Sequence, residues 1–186
     1  MSLGVDTALN NIINAVDSLK DTASSHNRAF VVETMGRNCG YLAVAAAIAS
    51  GAEFALIPEV EYDIDVIIRV LNERHAEGRN NSLIIVAEGA ATAAEIAGRL
   101  DGCNGFETRI MVLGHYQRGG SPSTFDRLLA ARFGVEAVNA LLAGESGKML
   151  GLSCSQLNLV SLEEVFAAGR RPIDDTMLKL MQPLGC

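Results

Sequence analysis

The stretch RAFVVETMGRNCGYLAVAAAIASGAEFALIP, residues 28–58, decides the fold. Its opening, RAFVVET, is a short apolar run rich in β-branched side chains and reads as a buried strand. CGYLAVAAAIASG, residues 39–51, reads as an Ala-rich buried helix with Gly51 just past its end, where a left-handed residue is wanted. FALIP is a second strand, halted by Pro58, which cannot donate to a ladder. Strand, helix and strand in this order predict a βαβ unit and a parallel sheet.

The same alternation continues on either side. Ile12, Ile13, Val16 and Leu19 recur at helical spacing, so a helix is predicted over 11–19. Asp63 stands where it can cap a helix presenting Ile64, Ile67, Ile68 and Leu71. SLIIVAEG is a third strand, Thr92-Ala-Ala-Glu95 has the form of a capping box, and RIMVLG is a fourth strand. Ser121 and Pro122 fit the N-cap and first position of a helix running towards Leu142. Beyond Gly144 the pattern weakens to a short strand near 149–152 and helices near 162–167 and 174–181. The expectation is an α/β fold: a Rossmann-like parallel sheet of about four strands, near 29–34, 54–57, 83–87 and 109–113, with helices on both faces.

With 186 residues, 49% of them apolar, the chain can bury a real core. A net charge of −7 argues against non-specific nucleic-acid or membrane-surface binding. No apolar run is long enough to span a bilayer. Cys39, Cys103, Cys154 and Cys186 lack Cys-x-x-Cys pairing, so a zinc site is not expected and the thiols read as reduced, small apolar side chains.

In a parallel sheet, ligands sit beyond the carboxyl ends of the strands. There the sequence places ETMGRNCG, Glu88-Gly89 and GHYQRGGSPSTFDR, residues 114–127. Arg37, His115 and Arg118 supply cations suited to phosphate, and Glu88 can accept from sugar hydroxyls. A phosphorylated polyol fits that set better than a bare nucleotide. Read without a ligand, His115 is a structural histidine, Arg28 and Arg109 are surface charges, and the Gly-Gly-Ser-Pro run is only a turn into a helix. No dinucleotide or Walker A spacing is present.

Residues 31–59 and 107–134, with SSHNR before them and VAEG between, closely resemble the 6-phosphofructokinase family. The combination of Met-Gly-Arg with Gly-His-x-Gln-Arg-Gly-Gly-Ser-Pro carries the resemblance, which runs from about Gly4 into the tail. It implies transfer of a phosphoryl group from ATP, with Mg²⁺, to the 1-hydroxyl of fructose 6-phosphate in glycolysis, in the cytoplasm. By the same resemblance Met35, Gly36 and Arg37 form the active-site loop, with Arg37 at the transferring group. Glu88 would hold sugar hydroxyls, and His115 and Arg118 the sugar phosphate. Arg28 and Arg109 would reach a neighbouring subunit's site in a tetramer. An effector site would fall on Lys20, Gly51, Glu53 and Arg79, with Glu77 departing from the base common in allosteric members.

The resemblance also implies that the family's nucleotide loops and its Thr-Ile-Asp-Asn-Asp segment lie upstream of this chain. The parent is then the enzyme and this chain alone is inactive. The expected division is a linking helix over 1–23, a sugar-phosphate domain over 24–117, a piece of the larger domain over 118–160 and returning helices over 161–186. The Ser121 helix should then expose apolar residues such as Phe125, Leu128 and Leu129 or bury them in a non-native partner, and the chain should be at least a dimer with Arg28 and Arg109 near the partner. The alternatives are a non-catalytic sugar-phosphate-binding or regulatory module, or a pyrophosphate-dependent enzyme.

Overall fold

The computed structural model describes residues 2–23, 27–103, 105–153, 155–169 and 172–181. Cys154, Cys186 and the Ser24 to His26 part of SSHNR lie outside these residues. The chain divides into two units, one comprising 1–7 with 121–172, the other 8–120 with 173–186.

The larger unit holds a sheet in the order β2-β3-β1-β4, built from β1 (Arg28–Thr34), β2 (Phe54–Leu56), β3 (Asn81–Ala87) and β4 (Glu107–Val112). All its pairings are parallel, with Thr34 opposite Ala87 and Glu33 opposite Val112. Alternate residues of each strand point to opposite faces. Phe30, Val32, Leu83 and Ile85 therefore join one core with Ile12 and Val16 of α1 (Val5–Ala23) and Ala43, Val44 and Ala47 of α2 (Tyr41–Ser50). Met181 of α7 (Asp175–Met181) closes the same core. Ala29, Val31, Ile84 and Val86 face Ile67 and Leu71 of α3 (Ile64–Ala76) and Ile96 and Leu100 of α4 (Ala93–Leu100). The expected sheet and its two covering layers are thus present.

Local signals set most helix ends. Gly51 is left-handed at φ 66° after α2, Asp63 accepts from the Asp65 N–H before α3, and Thr92 and Glu95 form the full capping box of α4. Cys39 and Cys103 are free thiols, and both are exposed.

The smaller unit contains α5 (Thr124–Leu142), an antiparallel hairpin of β5 (Lys148–Ser153) and β6 (Gln156–Ser161), and α6 (Leu162–Ala168). The N-cap of α5 is Ser123, whose hydroxyl accepts from the Asp126 N–H, and not Ser121 as expected. Phe125 and Leu128 are exposed as expected, whereas Leu129 is buried.

Asp126 ties two helix starts together. One carboxylate oxygen accepts from the Gly4 N–H at 2.9 Å, and the other from the Thr7 N–H at 2.8 Å and the Thr7 hydroxyl at 2.5 Å. Burial pushes this carboxyl up, but the Thr7 hydroxyl and the Thr7 and Gly4 N–H groups outweigh it and hold it below the ordinary carboxylate range. A depressed folded value means stability that is present above the ordinary range and lost as pH falls through the folded one. Asp126→Asn should therefore flatten the acid limb of a denaturation-midpoint-against-pH curve, and Asp126→Ala should cost about 2 kcal/mol at neutral pH. An acid limb in Asp126→Asn matching wild type would contradict this role.

Candidate functional site

The connection after β1 runs through α2 onto one face of the sheet, while that after β3 runs through α4 onto the other. Since β1 and β3 are neighbours, their carboxyl ends bound the crevice at which parallel sheets bind ligands. Met35, Gly36 and Arg37 leave β1 there, Glu88 and Gly89 leave β3, and β4 leads into a 3-10 turn, Gly114–Arg118.

These segments are joined by hydrogen bonds. The Glu88 N–H donates to the Thr34 carbonyl at 2.9 Å, extending the β1–β3 ladder by a step. The Glu88 carboxylate then accepts, through Oε1, the N–H of Gly36 at 3.0 Å and of Arg37 at 2.6 Å. The Gly36 N–H, then the Arg37 N–H, hold this carboxyl below its usual range; partial desolvation opposes them, and the charges of Arg37 and Arg118 reinforce them. Glu88 is therefore ionised at neutral pH and within the electrostatic reach of both arginines.

Glycines allow this closeness. A Cβ on Gly89 would stand 2.0 Å from the Arg37 carbonyl oxygen, and one on Gly36 would stand 2.4 Å from that of Cys39. Arg37 itself is left-handed at φ 52°, unusual for a residue with a side chain. At the start of α2, the Gly40 N–H donates to the Glu59 carboxylate at 2.9 Å.

The structure brings Gly36 and Arg37 into direct contact with Glu88, and Met35 into contact with Gln117 of the turn after β4, which also bears His115 and Arg118. Arg37, His115 and Arg118 present exposed side chains. Arg28 and Arg109 lie at the start of the neighbouring strands β1 and β4, where both bond the Glu107 carboxylate, Arg28 at 3.1 Å. Of the proposed effector residues, Lys20 donates to the Ser50 carbonyl beside Gly51, and Arg79 is exposed. Glu53 is buried; its carboxylate accepts the Leu83 N–H at 2.7 Å and pairs with Arg74 at 3.2 Å.

Sequence reasoning gave no role to Gln117, which the fold buries between exposed Tyr116 and Arg118. Its side-chain oxygen accepts the Met35 N–H at 2.7 Å. The only signal was its place inside the quoted motif.

The parallel α/β domain thus sets one ionised carboxylate within electrostatic reach of two arginines at its strand ends, groups of the kind that can hold an anion and accept from hydroxyls. Comparison with known proteins is more specific. The family model for phosphofructokinase matches residues 1–141. The ATP-dependent 6-phosphofructokinase of Natranaerobius thermophilus is 46% identical over 184 residues, covering 99% of this chain and 57% of that protein. The protein of the same name from Thermotoga petrophila is 49% identical over 181 residues, covering 97% and 56%. Among solved structures, phosphofructokinase from Saccharomyces cerevisiae superposes with a TM-score of 0.85 at 35% identity, covering 100% of this chain and 26% of that one. The chain belongs to the phosphofructokinase family, and it spans little more than half the length of these bacterial relatives. Among the described residues no helix is long and apolar enough to cross a membrane.

Proposed function

We propose that this chain forms the fructose 6-phosphate-binding part of an ATP-dependent 6-phosphofructokinase. The observation that carries the reading is the Glu88 carboxylate bonded to the Gly36 and Arg37 amides, beside the turn bearing His115 and Arg118. In this reading His115 and Arg118 hold the sugar phosphate. Glu88 uses the oxygen not engaged by the loop for sugar hydroxyls. The 1-hydroxyl oxygen forms a bond to the γ-phosphorus of ATP, the bond to ADP breaks with its electrons leaving on the ADP oxygen, and the hydroxyl proton passes to a base of the full-length protein. Arg37 offsets negative charge on the transferring group. The names of the bacterial relatives support ATP as donor.

Among the described residues no group of three or more His, Cys, Asp or Glu side chains could hold a metal ion, and Mg²⁺ belongs, in this reading, with ATP in the full-length protein. The activity, its place in cytoplasmic glycolysis and the tetrameric assembly are proposed for the full-length protein. This chain alone is read as binding sugar phosphate without transferring to it. Arg28 and Arg109 serve a neighbouring subunit's sugar phosphate, which must compete with Glu107 for them. Lys20, Gly51, Glu53 and Arg79 form the effector site, in which Glu53 must exchange its present partners for the ligand.

The test is Arg118→Ala in the full-length protein. KM for fructose 6-phosphate should rise by at least about tenfold, the loss of one charged hydrogen-bonding contact, with KM for ATP little changed. Unchanged sugar-phosphate kinetics would overturn the assignment. Activity with pyrophosphate and not ATP would overturn the donor.

A further inference from the structure

We propose that Gln117 is a positioning residue: it locks the Met35-Gly36-Arg37 loop to the His115–Arg118 turn, so that the two cationic parts of the sugar-phosphate site move as one. The kinetic part of this inference rests on the reading above; the structural part does not.

Three consecutive amides of the loop are held by side chains from elsewhere in the chain. Glu88 takes those of Gly36 and Arg37, and Gln117 takes that of Met35. Gln117 thus bonds the loop to the turn that follows β4, while Glu88 bonds it to the end of β3. The turn is itself anchored from behind, because Asn11 Nδ2 donates to the Gln117 carbonyl at 3.3 Å and the Gly119 carbonyl at 2.9 Å. Gln117 therefore stands between a fixed helix and a loop whose Arg37 is held at φ 52°. Such a conformation persists where its surroundings over-determine it.

The side-chain nitrogen of Gln117 adds a second argument. It is buried and has no partner among the described residues. A buried unpaired donor is unfavourable, and an unbranched apolar side chain of the same length would avoid it. What Gln117 contributes is thus the acceptor oxygen, aimed at one backbone amide of the active-site loop. Its contribution is to the geometry of the site more than to the core.

The experiment compares full-length wild type, Gln117→Met and Gln117→Glu. Met keeps the length and removes the acceptor, whereas Glu keeps an acceptor oxygen. Hydrogen exchange of the Met35–Arg37 segment, without substrate, should quicken about tenfold in Gln117→Met while the melting temperature changes little. KM for fructose 6-phosphate should rise about tenfold with KM for ATP unchanged, and Gln117→Glu should restore both. Wild-type exchange in Gln117→Met overturns the proposal. Should Gln117→Met not fold, Gln117→Glu decides alone: retained protection of the segment supports the brace, and lost protection in a folded protein overturns it. If wild type does not use fructose 6-phosphate, the functional reading falls while the exchange result still judges the brace.

Discussion

Replacing Gly89 by alanine is expected to weaken fructose 6-phosphate binding by about a hundredfold while leaving most of the fold intact. A Cβ there would meet the Arg37 carbonyl oxygen at 2.0 Å, the Arg37 carbonyl carbon at 3.0 Å and the Asn38 Cα at 3.2 Å. All three obstacles are backbone, so no side chain can swing aside. The loop must retreat by about an ångström to reach ordinary contact, and loosening two hydrogen bonds of the site at about 1.4 kcal/mol each lowers affinity by about a hundredfold. The retreat would also part the Gly36 and Arg37 N–H groups from Glu88. Titration calorimetry with fructose 6-phosphate on the full-length protein checks the affinity, and a melting curve checks the fold. Wild-type affinity in a folded Gly89→Ala protein would show that the loop and β3 do not need their close approach.

The largest stability effect is expected at Ile85. This residue sits mid-strand on β3, which has a neighbour on either side, and it is fully buried in the core shared with α1 and α2. Ile85→Ala removes buried methyl groups and leaves a cavity in a close-packed layer, at a cost of about 3–4 kcal/mol. Domains of this kind have about 5–15 kcal/mol in total, so a large part of the stability would go. Urea denaturation at constant slope should show the midpoint falling accordingly. A loss below about 1 kcal/mol would mean that the two cores do not depend on β3 as the packing indicates.

The parallel sheet was legible because β1, β2 and β3 are largely apolar on both faces and are bounded by punctuation that acts over a few residues. Gly51, Asp63 and the Thr92–Glu95 box were readable for the same reason: cap and capped group are near neighbours. Where the determinant is remote, the reading fell short. The first helix begins at Val5, well before the predicted start, because Asp126 accepts the Gly4 and Thr7 amides from across the chain. Ser123, and not Ser121, is the cap, and its own N–H is held by the remote Thr7 hydroxyl at 3.0 Å. The burial of Leu129 and the second strand of the hairpin were not visible in local pattern either.

The candidate site divides along the same line. Cations near glycines at strand ends mark a candidate anion site, and their placement there could be read from residue type. That Glu88 faces loop amides, that Glu107 joins Arg28 to Arg109, and that Gln117 reaches Met35 are consequences of which strands became neighbours. Apart from Glu107 with Arg109, two residues away, these pairings are not local in sequence.

The left-handed backbone of Arg37 bears on how any substitution there is interpreted. A side-chain-bearing residue in that region carries about 1–2 kcal/mol of intrinsic bias towards a right-handed or extended alternative, roughly a tenfold population ratio if nothing opposed it. Arg37→Ala deletes the guanidinium and keeps the bias, whereas Arg37→Gly deletes both. The ratio of their activities therefore separates charge from conformational equilibrium at a single position. An Arg37→Gly protein more active than Arg37→Ala would report how much of the loop's time the bound-like geometry occupies.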